Sequence, residues 1–186
     1  MRKFAALVLV LFLLTGCSNA KTYINRALEL RTRLYQSEGC AFTAVITADY
    51  GDQLYQFTLS CQGDNRGNLA FTVLAPETIY GITGHISQQG GKLTFDDAAL
   101  EFPLMADDLL TPVSAPWLLL KTLRGGYLTS AGMEGELLRL AVDDSYEEDA
   151  LHLDIWLDGE DRPVQADIYY DERRILSLTI EDFRIV

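Results

Sequence analysis

The feature that most constrains the fold is a pair of alternating runs separated by two residues. Phe42, Ala44, Ile46, Ala48 and Tyr50 alternate with Thr43, Val45, Thr47 and Asp49. After Gly51-Asp52, Tyr55, Phe57, Leu59 and Cys61 alternate with Leu54, Gln56, Thr58 and Ser60. A period of two puts each set on one face of a strand. Glycine first in a two-residue loop suits a type II′ turn, whose twist matches the flanking strands. That loop sets Tyr50 opposite Gln53, Ala48 opposite Tyr55, Ile46 opposite Phe57, Ala44 opposite Leu59 and Phe42 opposite Cys61. The apolar partners then share one face, which must lie against a core.

More strands follow. Residues 69–75 form a third run that Pro76 ends, after a polar loop over 62–68. Short β-like pieces around His85-Ile86, 93–95 and 100–102 are punctuated by Gly81, Gly84, Gly90 and Gly91 and stop at Pro103. In the last third, 137–142, 151–157, 164–170 and 175–186 read as strands, with turns at Asp158-Gly159 and Asp171-Glu172 joining the last three as a meander. In the final run Leu176, Leu178 and Ile180 keep one phase and Phe183 and Ile185 take the other, a slip that predicts a bulge or bend.

Two segments have helical spacing instead. Tyr23, Ala27, Leu30 and Leu34, with Ile24, Leu28 and Tyr35 beside them, make an amphipathic helix. Its other side carries Arg26, Glu29 and Arg33, with Glu29 and Arg33 as an i,i+4 pair, and Gly39 supplies a stop. Ser114-Ala115-Pro116 opens and Gly125-Gly126 closes a short helix over Trp117, Leu118, Leu119, Leu120 and Leu123. Apolar almost all round, it is either a buried core helix or a plug over a ligand cavity. About eight or more strands with two helices predict a mainly β (α+β) fold. Its form is a strongly curved antiparallel sheet, an open half-barrel, with the N-terminal helix and the short internal helix on the concave face.

The N-terminus is of another kind. Arg2 and Lys3 precede an apolar run over 4–14, 11 residues long, whereas a spanning helix needs roughly 20. The run closes on Leu14-Thr15-Gly16-Cys17, which resembles the bacterial lipobox, where a small residue precedes a cysteine that receives a diacylglyceryl group before cleavage. The resemblance implies a signal peptide over 1–16 and a lipidated Cys17, with or without a further N-acyl chain, and no other cofactor is expected. An anchor and short linker over 17–21 would then lead into a single domain over 22–186. The mature chain of 170 residues suffices for one core. It would be held at the extracytoplasmic face of a cell membrane. Ser18 is not the aspartate that retains lipoproteins at the inner membrane of many diderms, so a diderm host implies the outer membrane.

The chain carries 15 basic and 27 acidic residues, and since Arg2 and Lys3 fall in the leader, 13 and 27 remain, a formal net charge of −14. No basic stripe for nucleic acid is visible, because Arg173-Arg174 adjoin Asp171 and Glu172. Polybasic adsorption to anionic lipid is excluded on the same ground. Cys40 and Cys61 remain in the mature chain, and an even number in an exported protein reads as one disulfide. In the hairpin register Cys40 lies diagonally across from Cys61, with Cβ atoms roughly 7 Å apart, while a bridge wants roughly 3.5–4.5 Å. Local twist or an irregular start at Gly39 would close the gap. A Cys40–Cys61 bridge is therefore expected, with two buried free thiols as the alternative.

No Gly-x-Ser-x-Gly elbow, His-Glu-x-x-His, Cys-x-x-Cys or phosphate loop is present. His152 alternates with Leu151 and Leu153 and reads as a solvated or satisfied strand residue, and His85 lies among glycines. Asp143 to Asp149 holds five carboxylates in seven residues but lacks the ligand spacing of an EF-hand, so it reads as a solvated turn. No catalytic residue and no metal ligand is expected.

The order of parts is similar to that of the outer-membrane lipoprotein carrier and receptor family, the LolA/LolB fold. It resembles most closely the small Gram-positive lipoproteins with that fold, some tied to spore germination, through Ala75-Pro76-Glu77, Gly81-Ile82-Thr83-Gly84 and Asp143-Asp144-Ser145-Tyr146-Glu147-Glu148-Asp149. The resemblance implies a non-enzymatic carrier or receptor. From the apolar pattern, Phe42, Ile46, Phe57, Leu59 and Phe71 of the sheet and Trp117, Leu119 and Leu120 of the helix would contact an acyl chain or lipoprotein ligand. In the alternative, a protein-interaction module, the interior is filled and a surface edge serves an envelope or germination enzyme. The volume left inside the sheet separates the two, since an acyl site needs about 300 Å³ or more.

Overall fold

The computed structural model describes residues 17–49, 51, 53–96, 98–106, 109–147 and 150–186. The expected signal peptide, Tyr50 and Asp52 of the hairpin turn, and Glu148 and Asp149 of the acidic run lie outside them. In chain order the elements are helix α1 (Cys17–Gln36), strands β1 (Gly39–Asp49), β2 (Leu54–Asp64), β3 (Leu69–Ala75), β4 (Thr83–Ser87), β5 (Gly90–Phe95) and β6 (Ala98–Phe102), and a small ribbon of β7 (Met105–Ala106) and β8 (Leu109–Leu110). Helix α2 (Ala115–Gly125) follows, then β9 (Tyr127–Glu134), β10 (Leu137–Asp143), β11 (His152–Leu157), β12 (Pro163–Tyr170) and β13 (Arg173–Ile185).

Eleven strands form one antiparallel sheet in the order β6-β5-β4-β3-β2-β1-β13-β12-β11-β10-β9, curved around the two helices as expected. The founding hairpin has the register its loop dictates: Ala48 faces Tyr55, Ile46 faces Phe57, Ala44 faces Leu59 and Phe42 faces Cys61. Gly51 in the turn has φ +87°, a left-handed value that glycine adopts without a Cβ clash. The phase slip in the last strand is a β-bulge. Ala41 faces Arg184 and Thr43 faces Glu181, so β13 carries one extra residue, and Asp182 there has φ +53°.

Alternation makes the concave face apolar from edge to edge. One row reads Leu128, Val142, Leu153, Ile168, Leu176 and Ala48 across β9 to β1. On the other wing Phe42, Cys61, Phe71, Gly84, Leu93 and Leu100 lie in one row from β1 to β6. β9 carries no clear alternation to announce it: it is an edge strand, and a register shift opposite Ala141 and Val142 breaks its phase.

α2 packs against β2, β10 and β13 in the middle of this face, and α1 lies over β9 and against α2. Only one stripe of α1 is used: Leu30 and Leu34 are buried and Tyr23 and Ala27 pack against the core. Ile24, Leu28 and Tyr35, read from sequence beside that stripe, are exposed, because a helix at the edge of the sheet meets neighbours on one side only. The Glu29–Arg33 pair does not form; Arg33 reaches Asp161 at 3.8 Å, and Arg26 pairs with the same carboxylate at 2.6 Å. The helix begins at Cys17, so the stretch expected as linker, 17–21, is helical.

Candidate functional site

Every expected ligand-contact residue is on the concave face, and the structure brings the set together as core. Phe42, Ile46, Leu59, Phe71, Trp117, Leu119 and Leu120 are each at most 5% exposed, and Phe57 is partly buried against them. α2 fills the space that they enclose. Pro116 stands in its first turn, where a missing amide hydrogen costs nothing. Gly126 ends it, donating its amide to the Thr122 carbonyl at 2.8 Å. A Cβ on Gly126 would meet Thr122 and Val142 at 2.7 Å, so glycine alone lets the chain leave the helix this close to β10.

Polar contacts hold the plug in place. Trp117 Nε1 donates to the Gly67 carbonyl at 2.9 Å, tying α2 to the turn between β2 and β3. Lys121 pairs with Asp144 at 3.0 Å in the loop after β10. Arg31 of α1 donates from Nε to the Leu123 carbonyl at 3.0 Å and from Nη2 to the Gly126 carbonyl at 2.8 Å. The last carbonyls of a helix lack intrahelical partners and carry its partial negative charge, so a guanidinium there caps and neutralises together. Sequence spacing held no sign of this contact, because Arg31 sits 92 residues before Leu123.

Beyond the plug the apolar face is open. Leu93 on β5 is partly buried, while Phe95 and Leu100 are 59% and 65% exposed. Phe71 lies over Gly84 and Phe102 over Gly91, so a side chain at either glycine would displace a ring. These glycines give the wing a flat, aromatic floor. A cleft of about 540 Å³ between the end of α1 and the end of β13 is lined by Leu30, Phe183 and Ile185 with Arg33, Asp161 and Arg162 among others. Of the expected contact set, only Trp117 reaches the second cleft, of about 570 Å³, at the C-terminal end of α2.

The expected disulfide is corrected to its alternative: Cys40 and Cys61 are free and buried. Cys40 faces Gly63 and Cys61 faces Phe42 in an unbroken ladder, so the diagonal offset persists, and the bulge lies in β13, on the other side of β1. Burial pushes both thiols above the ordinary cysteine range, with the Arg124 charge and a Gly63 amide opposing the rise at Cys40 and the neighbouring Cys40 adding to it at Cys61. Neither is a nucleophile at neutral pH, since the thiolate is the reactive form. Iodoacetamide should therefore label neither thiol in the folded protein and both in denaturant without reductant. Unfolded protein that stays unlabelled until reduced would demonstrate a bridge after all.

His152 is a satisfied residue on the convex face, its Nδ1 2.7 Å from Asp143 and its Nε2 3.5 Å from Asp154. His85 is on strand β4, exposed, opposite Ala70 and Lys92. Asp144 of the acidic run is held by Lys121 and accepts the Leu151 amide. Among the described residues no three His, Cys, Asp or Glu converge as a metal site. The convex face also buries Asp154 and Asp167, directly opposed on β11 and β12, with Arg139 at 2.6 Å from the first and Arg174 at 3.2 Å from the second. A carboxylate centred in an apolar strand was the available signal for that network.

No family model matches the chain, and no curated protein matches it in sequence. Solved structures of similar arrangement include an uncharacterized conserved protein from Thermus thermophilus, with 11% identity, a TM-score of 0.48, and coverage of 86% of this chain and 87% of that one. A LolA superfamily protein from Nitrosomonas europaea has 8% identity, a TM-score of 0.45 and coverage of 86% and 93%. The lipoprotein LppX of Mycobacterium tuberculosis has 11% identity, a TM-score of 0.41 and coverage of 87% and 93%. At these scores the likenesses add nothing to what the geometry of the sheet and its plug conveys.

Proposed function

We propose that the chain is a membrane-anchored extracytoplasmic lipoprotein that binds a hydrophobic ligand, an acyl chain or the acylated end of a lipoprotein, on its concave face without catalysing a reaction. One observation carries this reading: the apolar row outruns its plug, leaving Leu100 uncovered in line with Leu93, Phe71 and the core, and Phe95 uncovered beside it on the same face of β5. A monomeric domain has little reason to expose such side chains in a row unless something covers them. The wing is the point of entry, and α2 occupies the deep end. A ligand advances inward only by replacing the contacts that α2 makes there, as a long apolar chain can.

The packed interior favours a second reading, an interaction module whose wing docks an envelope protein. Titration with a fluorescent fatty acid or lipopeptide separates the two. Wild-type protein should show saturable binding, and Leu100→Glu or Phe95→Glu should weaken it roughly tenfold or more, the worth of one large apolar contact. Because both side chains are exposed, melting should stay unchanged. If no such lipid binds saturably, the ligand reading falls and the interaction module replaces it.

A further inference from the structure

Arg124 sits in the last turn of α2, only 7% exposed, and neither its Nε nor its Nη2 has a hydrogen-bond partner. It forms no ion pair among the described residues. Arginine stays charged in proteins, so this is a permanent, largely buried positive charge with no hydrogen-bonded protein partner among the described residues. Neither group that feels this charge hydrogen-bonds to it. Cys40 is a neutral thiol, its pKa pushed up by burial. Burial alone would raise the pKa of Asp64, but it is held low by hydrogen bonds from Asn68 and Arg66, with the Arg124 charge contributing. That carboxylate is committed to the Arg66 and Asn68 amides and to Asn68 Nδ2 at 2.8–2.9 Å.

Arg124 lines the cleft of about 570 Å³, together with Arg66, Asn65 and Asn68 from the turn between β2 and β3, and Lys121 and Trp117 from α2. Asp144, the acid on the same rim, is already paired with Lys121 at 3.0 Å. Three cations thus meet one engaged carboxylate, in a mature chain whose net charge is −14. We infer that this cleft is an oxyanion site that receives a phosphate group on the unpartnered guanidinium of Arg124, with Arg66 and Lys121 at its rim. A guanidinium makes strong charge-assisted hydrogen bonds to phosphate oxygens, and the side-chain amide of Asn65 supplies a neutral donor on the same cleft. The phosphate is either free or the head group of a phospholipid. The inference stands apart from the hydrophobic-ligand reading, since it concerns the end of α2 rather than the wing.

The test uses the full-length protein in dodecyl maltoside, with melting and isothermal titration in sodium phosphate against sodium chloride of equal ionic strength. A parallel arm compares dihexanoyl phosphatidic acid with dihexanoylglycerol, which lacks the phosphate. Phosphate or the phosphatidic acid should raise the melting temperature, and Arg124→Gln should weaken that binding roughly tenfold or more. A response to inorganic phosphate assigns a free-phosphate site; a response to the phosphatidic acid alone assigns a head-group site. Arg124→Met, which removes the unpaired charge but keeps the length of the side chain, should melt at or above the wild type in phosphate-free buffer. Absence of both responses in the wild type, an equal response in Arg124→Gln, or an Arg124→Met protein that melts well below wild type would overturn the inference.

Discussion

Replacing Cys17 by alanine should remove the protein from the membrane fraction and leave it as uncleaved precursor or in the soluble pool. One acyl chain binds a bilayer only weakly, with a constant of roughly 10⁴ M⁻¹, so stable attachment takes two or more, which a diacylglyceryl group provides. Nothing else among the described residues compensates. The formal charge of −12 opposes adsorption to anionic head groups, and no helix among the described residues is long and apolar enough to cross a membrane. Fractionation combined with intact-mass measurement checks this. A Cys17→Ala chain cleaved to mature length that still pellets with membranes would show that some other part of the protein holds it there.

The second large effect is expected at the centre of the plug. Leu119 is fully buried between the sheet and the rest of α2. Leu119→Asp places a carboxylate in the apolar core and removes a leucine's packing in the same step. Substitutions of this kind cost roughly 4–5 kcal/mol or more, against a total stability of roughly 5–15 kcal/mol for an ordinary domain. The variant should lose most of its cooperative thermal transition and bind hydrophobic dyes. A melt within a few degrees of wild type would mean that α2 can leave the concave face at little expense, and that the open form is readily reached.

How much of this was legible beforehand depended on whether the physics was local. The hairpin register follows from two loop residues and the alternation around them, so Phe42 to Cys61 could be paired correctly without a structure. The bulge in β13 was legible for the same reason, because one extra residue moves Phe183 and Ile185 out of phase with Leu176 to Ile180. The bounds of α2 came from a proline and two glycines. What could not be read was made by distant residues. Arg66 is far in sequence from Lys121 and Arg124 on α2, and all three look like solvated charges until the fold gathers them around one cleft. The Arg31 cap is of the same kind, and so is the choice of which side of α1 is covered. The thiols lay between these cases: the ladder fixed their offset, but whether a twist would close it depended on β13 and α2 packed against the strands.

The position of β13 has a consequence for how the molecule is made. β13 follows the other described strands in the chain yet is not at an edge; it lies between β1 and β12 and is, among the described residues, the sole hydrogen-bonded seam between the β1–β6 wing and the β9–β12 wing. Each wing can zip by local hairpins in microseconds, yet neither can join the other until residue 173 and beyond have arrived. The pairing of β1 with β13 spans most of the chain, and closing such a loop is the slow kind of folding event. A nascent chain therefore presents two unjoined half-sheets, each with a bare apolar face and an unsatisfied inner edge, until β13 locks them. Such an intermediate is a natural client for a holdase and a natural seed for aggregation, so the arrival of β13 sets the time during which the protein needs protection.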